Sequence, residues 1–131
     1  MGAAPHHAVV LGASAGGMDA LLAIFGALPV GFSWPMLLVQ HLHKDDGGLF
    51  VSHLANRVSL AVVEAEDKQA LEAGRVYVAP PDYHLLVERD FTLALSTEPK
   101  VNWARPAIDV LFESAARAWG PGLVAVILSG A

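Results

Sequence analysis

The sequence predicts an α/β fold with a mainly parallel sheet, and three observations predict it. Continuous apolar runs of strand length recur at residues 7–13 (HAVVLGA), 35–40 (PMLLVQ) and 123–128 (LVAVIL). Strands buried on both faces read this way, whereas strands with one wet face alternate. Segments with apolar residues three and four apart stand between such runs. The resulting order is strand, helix, strand, helix, strand, hairpins, helix, strand, and that alternation is the pattern of a parallel sheet with crossover helices.

Each element has a local reason. After the first strand, residues 16–28 place Met18, Leu21, Leu22, Phe25 and Leu28 on one helical face, and Pro29 with Gly31 stops that helix. The second strand ends at Gln40-His41 and is followed by the polar loop KDDGG at 44–48. Residues 49–58 form a second helix, with Leu49, Phe50, His53, Leu54 and Arg57 repeating at three and four. A third, shorter strand covers 60–65 (LAVVEA). The segments 76–79, 85–88 and 91–95 are short and separated by Pro80-Pro81-Asp82 and Arg89-Asp90, which reads as hairpins at one side of the sheet. Pro106 opens a third helix over 107–119, with Ile108, Leu111, Phe112, Ala115 and Trp119 on one face, since proline is favoured in the first helical turn. Gly120-Pro121-Gly122 ends it before the last apolar run.

Composition excludes several classes. The 131 residues are 54% hydrophobic and 16% charged, which rules out disorder and suits one domain over 1–131. No apolar run reaches the roughly 18–20 residues of a membrane span. Residues 1–7 lack the basic and apolar regions of a signal peptide. There is no cysteine, so disulfides and thiol chemistry are out, in keeping with a cytoplasmic location. The net charge of −5 and the lack of a basic cluster argue against nucleic acid as a partner.

The chemistry gathers at strand ends, where ligands of parallel sheets usually bind. Gly12-Ala13-Ser14-Ala15-Gly16 fits G-x-S-x-G at a strand-to-helix turn. Small neighbours let a serine project from a crowded backbone, and the helix N-terminus behind it offers free N–H groups to an oxyanion. The same turn also suits tight packing or phosphate binding, although Ser14 breaks the G-x-G-x-x-G spacing of a dinucleotide loop. His41 ends the next strand and would lie on the same edge if the two strands are adjacent and parallel; imidazole is the usual base for a serine. Taken alone, it reads first as a histidine satisfied at a strand end. His43 is a weaker candidate base, and His41-x-His43 lacks a second pair for zinc. Asp45, Asp46, Asp82 and Asp109 are the candidate orienting carboxylates, and spacing singles out none of them.

Six segments in order resemble the CheB-type protein-glutamate methylesterase catalytic domain over about 7–131. They are Gly12-Ala13-Ser14-Ala15-Gly16-Gly17, Gln40-His41, the step VEAED at 63–67, the run GRVYVAP at 74–80 with His84, the run RPAIDVLF at 105–112, and the run VILSG at 126–130. The resemblance implies a doubly wound parallel sheet with helices on both faces and a β-hairpin extension, and Ser14 as nucleophile with His41 as its base. It implies backbone N–H groups of Ala15 and Ala131 at the oxyanion, no metal and no organic cofactor. The reaction implied is hydrolysis of glutamate methyl esters on methyl-accepting chemotaxis receptors with release of methanol, and in many members deamidation of receptor glutamines. A receiver domain or a chemotaxis kinase is an implied partner. Ala15 and Ala107 stand where threonine and serine are usual, and Ala131 where some members have methionine. The family's triad aspartate falls three positions beyond Ala131, so the expectation is a C-terminally incomplete fold without a receiver domain. The alternative is a non-catalytic receptor- or kinase-binding module that keeps the esterase fold, because losing the orienting carboxylate costs on the order of 10⁴ in turnover. A nucleotide-binding α/β protein is a third reading, and it leaves His41 without a role.

Overall fold

The structure, a computed structural model, describes residues 5–14 and 16–128. Its centre is a five-stranded sheet, every pair parallel, made from β1 (Ala8–Ala13), β2 (Met36–Gln40), β3 (Ala61–Glu64), β4 (Arg75–Val78) and β7 (Leu123–Leu128), in the order β3-β4-β2-β1-β7. β5 (His84–Val87) and β6 (Leu93–Ser96) form a separate antiparallel hairpin. The helices are α1 (Met18–Ala27), α2 (Leu49–Ala55) and α3 (Ile108–Trp119).

Right-handed crossovers decide which face each connection covers. The steps from β1 to β2 and from β2 to β3 run in one direction, so α1 and α2 share a face. Leu21, Phe25 and Leu54 pack there against Leu11, Met36, Leu38, Val76 and Val78. The path from β4 back across β1 to β7 runs the other way. It carries the hairpin and α3 onto the opposite face, where Leu85, Val87, Leu93, Leu111, Ala115 and Trp119 meet Val10, Leu37, Val39 and Tyr77. The sheet is therefore doubly wound. Successive residues of β1 and β2 alternate between the two cores, which is why both strands read as unbroken apolar runs.

Two expectations need correction. The segment at 76–79 is not part of a hairpin: β4 lies between β3 and β2 in the main sheet, and only β5 and β6 pair antiparallel. β4 is a buried strand, and the Tyr77 phenol that interrupts its apolar run accepts the Glu72 N–H at 2.7 Å and donates to Ala70 O at 3.4 Å. Burial pushes the Tyr77 phenol above its ordinary pKa. The second correction is at α3, which begins at Ile108 with Ala107 extended before it, so Pro106 lies outside the helix.

Candidate active site

Ser14 and His41 leave the sheet side by side. β1 and β2 pair in parallel with Ala13 opposite Gln40, and each of the two candidates is the next residue along. Both are exposed, at the carboxyl edge of the sheet. The condition for a serine–histidine pair, adjacent parallel strands, is met. Ala15 and Ala131, expected at the oxyanion, lie outside the described residues.

The turn after β1 is held from three sides. Ser14 N–H donates to Leu128 O of β7 at 3.3 Å, and Gly17 N–H donates to Ser14 O at 3.1 Å. Gln40 Nε2 donates to the same carbonyl at 3.1 Å. The small residues have identifiable reasons. A Cβ on Gly12 would stand 2.6 Å from Ile108 Cγ2, so glycine lets the start of α3 close over the end of β1. Gly16 has φ of 84°, the left-handed region that favours glycine.

Gln40, half of the Gln40-His41 pair that carries part of the resemblance, has a structural role that the sequence does not show. It is the polar end of a strand whose every residue is buried, and it is only 5% exposed. Its amide nitrogen fixes the nucleophile turn, while Oε1 is buried without a hydrogen-bond partner among the described residues. A polar residue closing an otherwise apolar strand was the available signal.

The loops after β2 and β4 leave for opposite faces, which opens a crevice at the carboxyl ends of these neighbouring strands. A cavity of about 630 Å³ occupies it, lined by His41, Lys44, Asp82, Lys100, Trp103 and Arg105 among others. A smaller one of about 220 Å³ joins His41 to Asn102, Ile108 and Asp109. A further cavity of about 280 Å³, between His7, Trp34 and Glu72, lies at the amino ends of the strands, away from Ser14 and His41.

Three of the four candidate carboxylates have other work. Asp45 lies 3.6 Å from His43 Nδ1, both of them exposed. Asp46 Oδ2 accepts the Phe50 N–H at 3.2 Å and so satisfies a donor in the first turn of α2. Asp82 Oδ1 takes Arg105 Nε at 3.1 Å and Nη2 at 2.9 Å. Asp109 has no such partner among the described residues and shares the smaller cavity with His41, as Asp82 shares the larger, and no described carboxylate hydrogen-bonds to that imidazole. His84, given no role in catalysis, is buried and joins two backbone groups: Nε2 to Pro99 O at 2.9 Å and Nδ1 to Ala107 N at 3.2 Å. A carbonyl can only accept and an amide N–H only donate, so this ring is neutral with its proton on Nε2. It fixes both ends of the segment that lines the crevice. Among the described residues no group of three His, Asp or Glu side chains is placed to hold a metal ion, and no helix is long and apolar enough to cross a membrane.

A doubly wound parallel sheet with a serine turn and a histidine on neighbouring strand ends defines a class, the doubly wound α/β domains with a candidate site at the carboxyl edge of the sheet. The particular family follows from comparison. Residues 9–131 match the CheB methylesterase family, and the chain belongs to it. A Leptospira interrogans relative is 43% identical over 126 residues, covering 96% of this chain and 65% of its own length. The protein-glutamate methylesterase/protein-glutamine glutaminase of a Nocardioides species is 41% identical over 128 residues, 95% of this chain and 35% of that protein. The crystal structure of the Thermotoga maritima CheB methylesterase catalytic domain superposes with a TM-score of 0.87 at 33% identity, over 95% of this chain and 67% of that one. The chain thus spans about two thirds or less of the proteins it matches.

Proposed function

We propose that the protein is a serine carboxyl-esterase that hydrolyses glutamate methyl esters on chemoreceptors. The observation that carries the proposal is the register of β1 and β2, which brings Ser14 and His41 out at neighbouring positions of one edge. In the proposed reaction Ser14 Oγ attacks the ester carbonyl while His41 accepts its proton. The tetrahedral oxyanion collapses, and His41 returns the proton to the departing methoxide, which leaves as methanol. Water, deprotonated by His41, then attacks the acyl-serine; the acyl–Oγ bond breaks as His41 returns that proton to Ser14 Oγ, and the freed glutamic acid gives its remaining proton to solvent to become the carboxylate. Receptor glutamine deamidation is the same acyl transfer with ammonia as the leaving group. Backbone N–H groups at Ala15 and Ala131 are the proposed oxyanion donors. The relatives' printed names support the pairing of methylesterase with glutaminase.

The test is methanol release from methylated receptor by the full-length gene product. Wild type releases methanol, and Ser14→Ala lowers the rate by on the order of 10⁴ or more. Receptor or kinase binding without any methanol release from wild type would instead favour a non-catalytic module on the esterase fold.

A further inference from the structure

The crevice beside His41 has walls that the ester chemistry does not use. Residues 101–104 form a two-residue hairpin turn in which Val101 and Ala104 exchange both N–H···O bonds at 3.0 Å. The two central residues, Asn102 and Trp103, have φ of 51° and 63°. Such a turn favours Asn-Gly, because the left-handed region is open to glycine, tolerated by asparagine and strained for a bulky side chain. Tryptophan occupies the glycine position here, and it is 92% exposed. An indole held in strained backbone and in contact with water joins neither core cluster among the described residues, which leaves it available to a partner.

The charges around it point the same way. The chain carries −5 overall and has eight Lys and Arg residues. Three of the eight, Lys44, Lys100 and Arg105, line this one cavity against a single carboxylate, Asp82. Arg105 is consumed by the fold: besides Asp82 it donates to Thr97 O at 3.0 Å and Glu98 O at 3.2 Å. Lys44 and Lys100 are exposed and form no ion pair with a described residue. Together with His84, Arg105 makes the 97–107 segment a braced platform that holds Lys100 and Trp103 at the mouth of the His41 cavity.

We infer that Trp103, Lys100 and Lys44 form a docking surface for an acidic polypeptide segment, the stretch of substrate that surrounds the target glutamyl group. The inference rests on the esterase reading for the identity of the target. The aliphatic stem of a glutamyl side chain packs on the indole face, and carboxylates flanking the target pair with the two lysines. The surface then selects a polypeptide with several acidic side chains near the ester over an isolated ester.

The experiment titrates a fluorescent glutamate-rich peptide into the full-length gene product and reads anisotropy. Wild type binds the peptide, and salt weakens the complex. Trp103→Gly and Lys44→Glu/Lys100→Glu each weaken binding about tenfold. Trp103→Gly leaves the melting temperature unchanged or raises it, because glycine relieves the turn; a merely structural tryptophan would lower it. Three results overturn the inference: no binding by wild type, equal binding by the variants, or equal binding of a lysine-rich peptide. Hydrolysis of a small neutral ester by wild type, and its loss in Ser14→Ala, reports on the esterase reading separately. Peptide binding with no ester hydrolysis removes that reading and leaves the docking surface in place.

Discussion

β2 and β7 flank β1 on its two sides, both parallel to it, and their sequences MLLVQ and LVAVIL are apolar throughout except for Gln40. Every residue of β2 is buried, whereas no residue of β7 is, with Val124 45% and Ile127 70% exposed. The physical difference is in their neighbours. β2 has strands on both sides and packed layers above and below, α1 on one face and α3 with the hairpin on the other. β7 has one strand neighbour among the described residues, and its faces are only partly covered, through Leu123 on one side and Val126 with Leu128 on the other. An apolar run therefore reports how much cover a strand requires, and among the described residues only β2 receives it in full. The buried strand also delivers the candidate site: Gln40 and His41 both come from its end.

The largest effect that tests this contrast is a matched truncation. Leu38→Ala, in the middle of β2, removes a fully buried side chain and should cost about 2–5 kcal/mol. Ile127→Ala in β7 should fall within about 0.5 kcal/mol. Denaturant melts of the two variants measure both, and similar losses would mean that β7 is covered in solution. The next effect separates stability from chemistry at the end of β2. Gln40→Leu removes the hydrogen bond to Ser14 O together with an unpaired buried acceptor, so stability should change by no more than about 1 kcal/mol. Because the turn carrying Ser14 loses one of its three ties, ester hydrolysis should fall by about tenfold, in kcat more than in KM. A loss of stability without loss of rate would reduce Gln40 to a packing residue. The smallest effect is Ile127→Lys, which should leave folding nearly unchanged but raise the concentration at which the 131-residue chain stays monomeric by light scattering, since an exposed apolar edge strand is a site for self-pairing.

Much of this was legible in the chain. Periodicity and turn residues placed three helices, the main strands and the β5-β6 pairing within a few residues, because those signals are local. Ser14 and His41 were legible as strand-end residues for the same reason. β4 was misread as a hairpin strand because a four-residue apolar segment carries no mark of its partner, and pairing is settled by chain segments far away in sequence. The role of Gln40 was not legible, although the Gln40-His41 pair was, because that role depends on a carbonyl 26 residues earlier in the chain.

The sequence by itself determined which segments are strands and helices, that the sheet is parallel, and which residues stand at strand ends, since each follows from local periodicity, turn chemistry and the need to bury apolar runs. Only the tertiary structure decided the rest. It set the order β3-β4-β2-β1-β7, aligned Ser14 with His41 through the pairing of Ala13 with Gln40, closed Ile108 over Gly12 and held Trp103 at the mouth of the crevice. Those outcomes depend on contacts between residues distant along the chain, and such contacts are chosen by the packing of the whole fold.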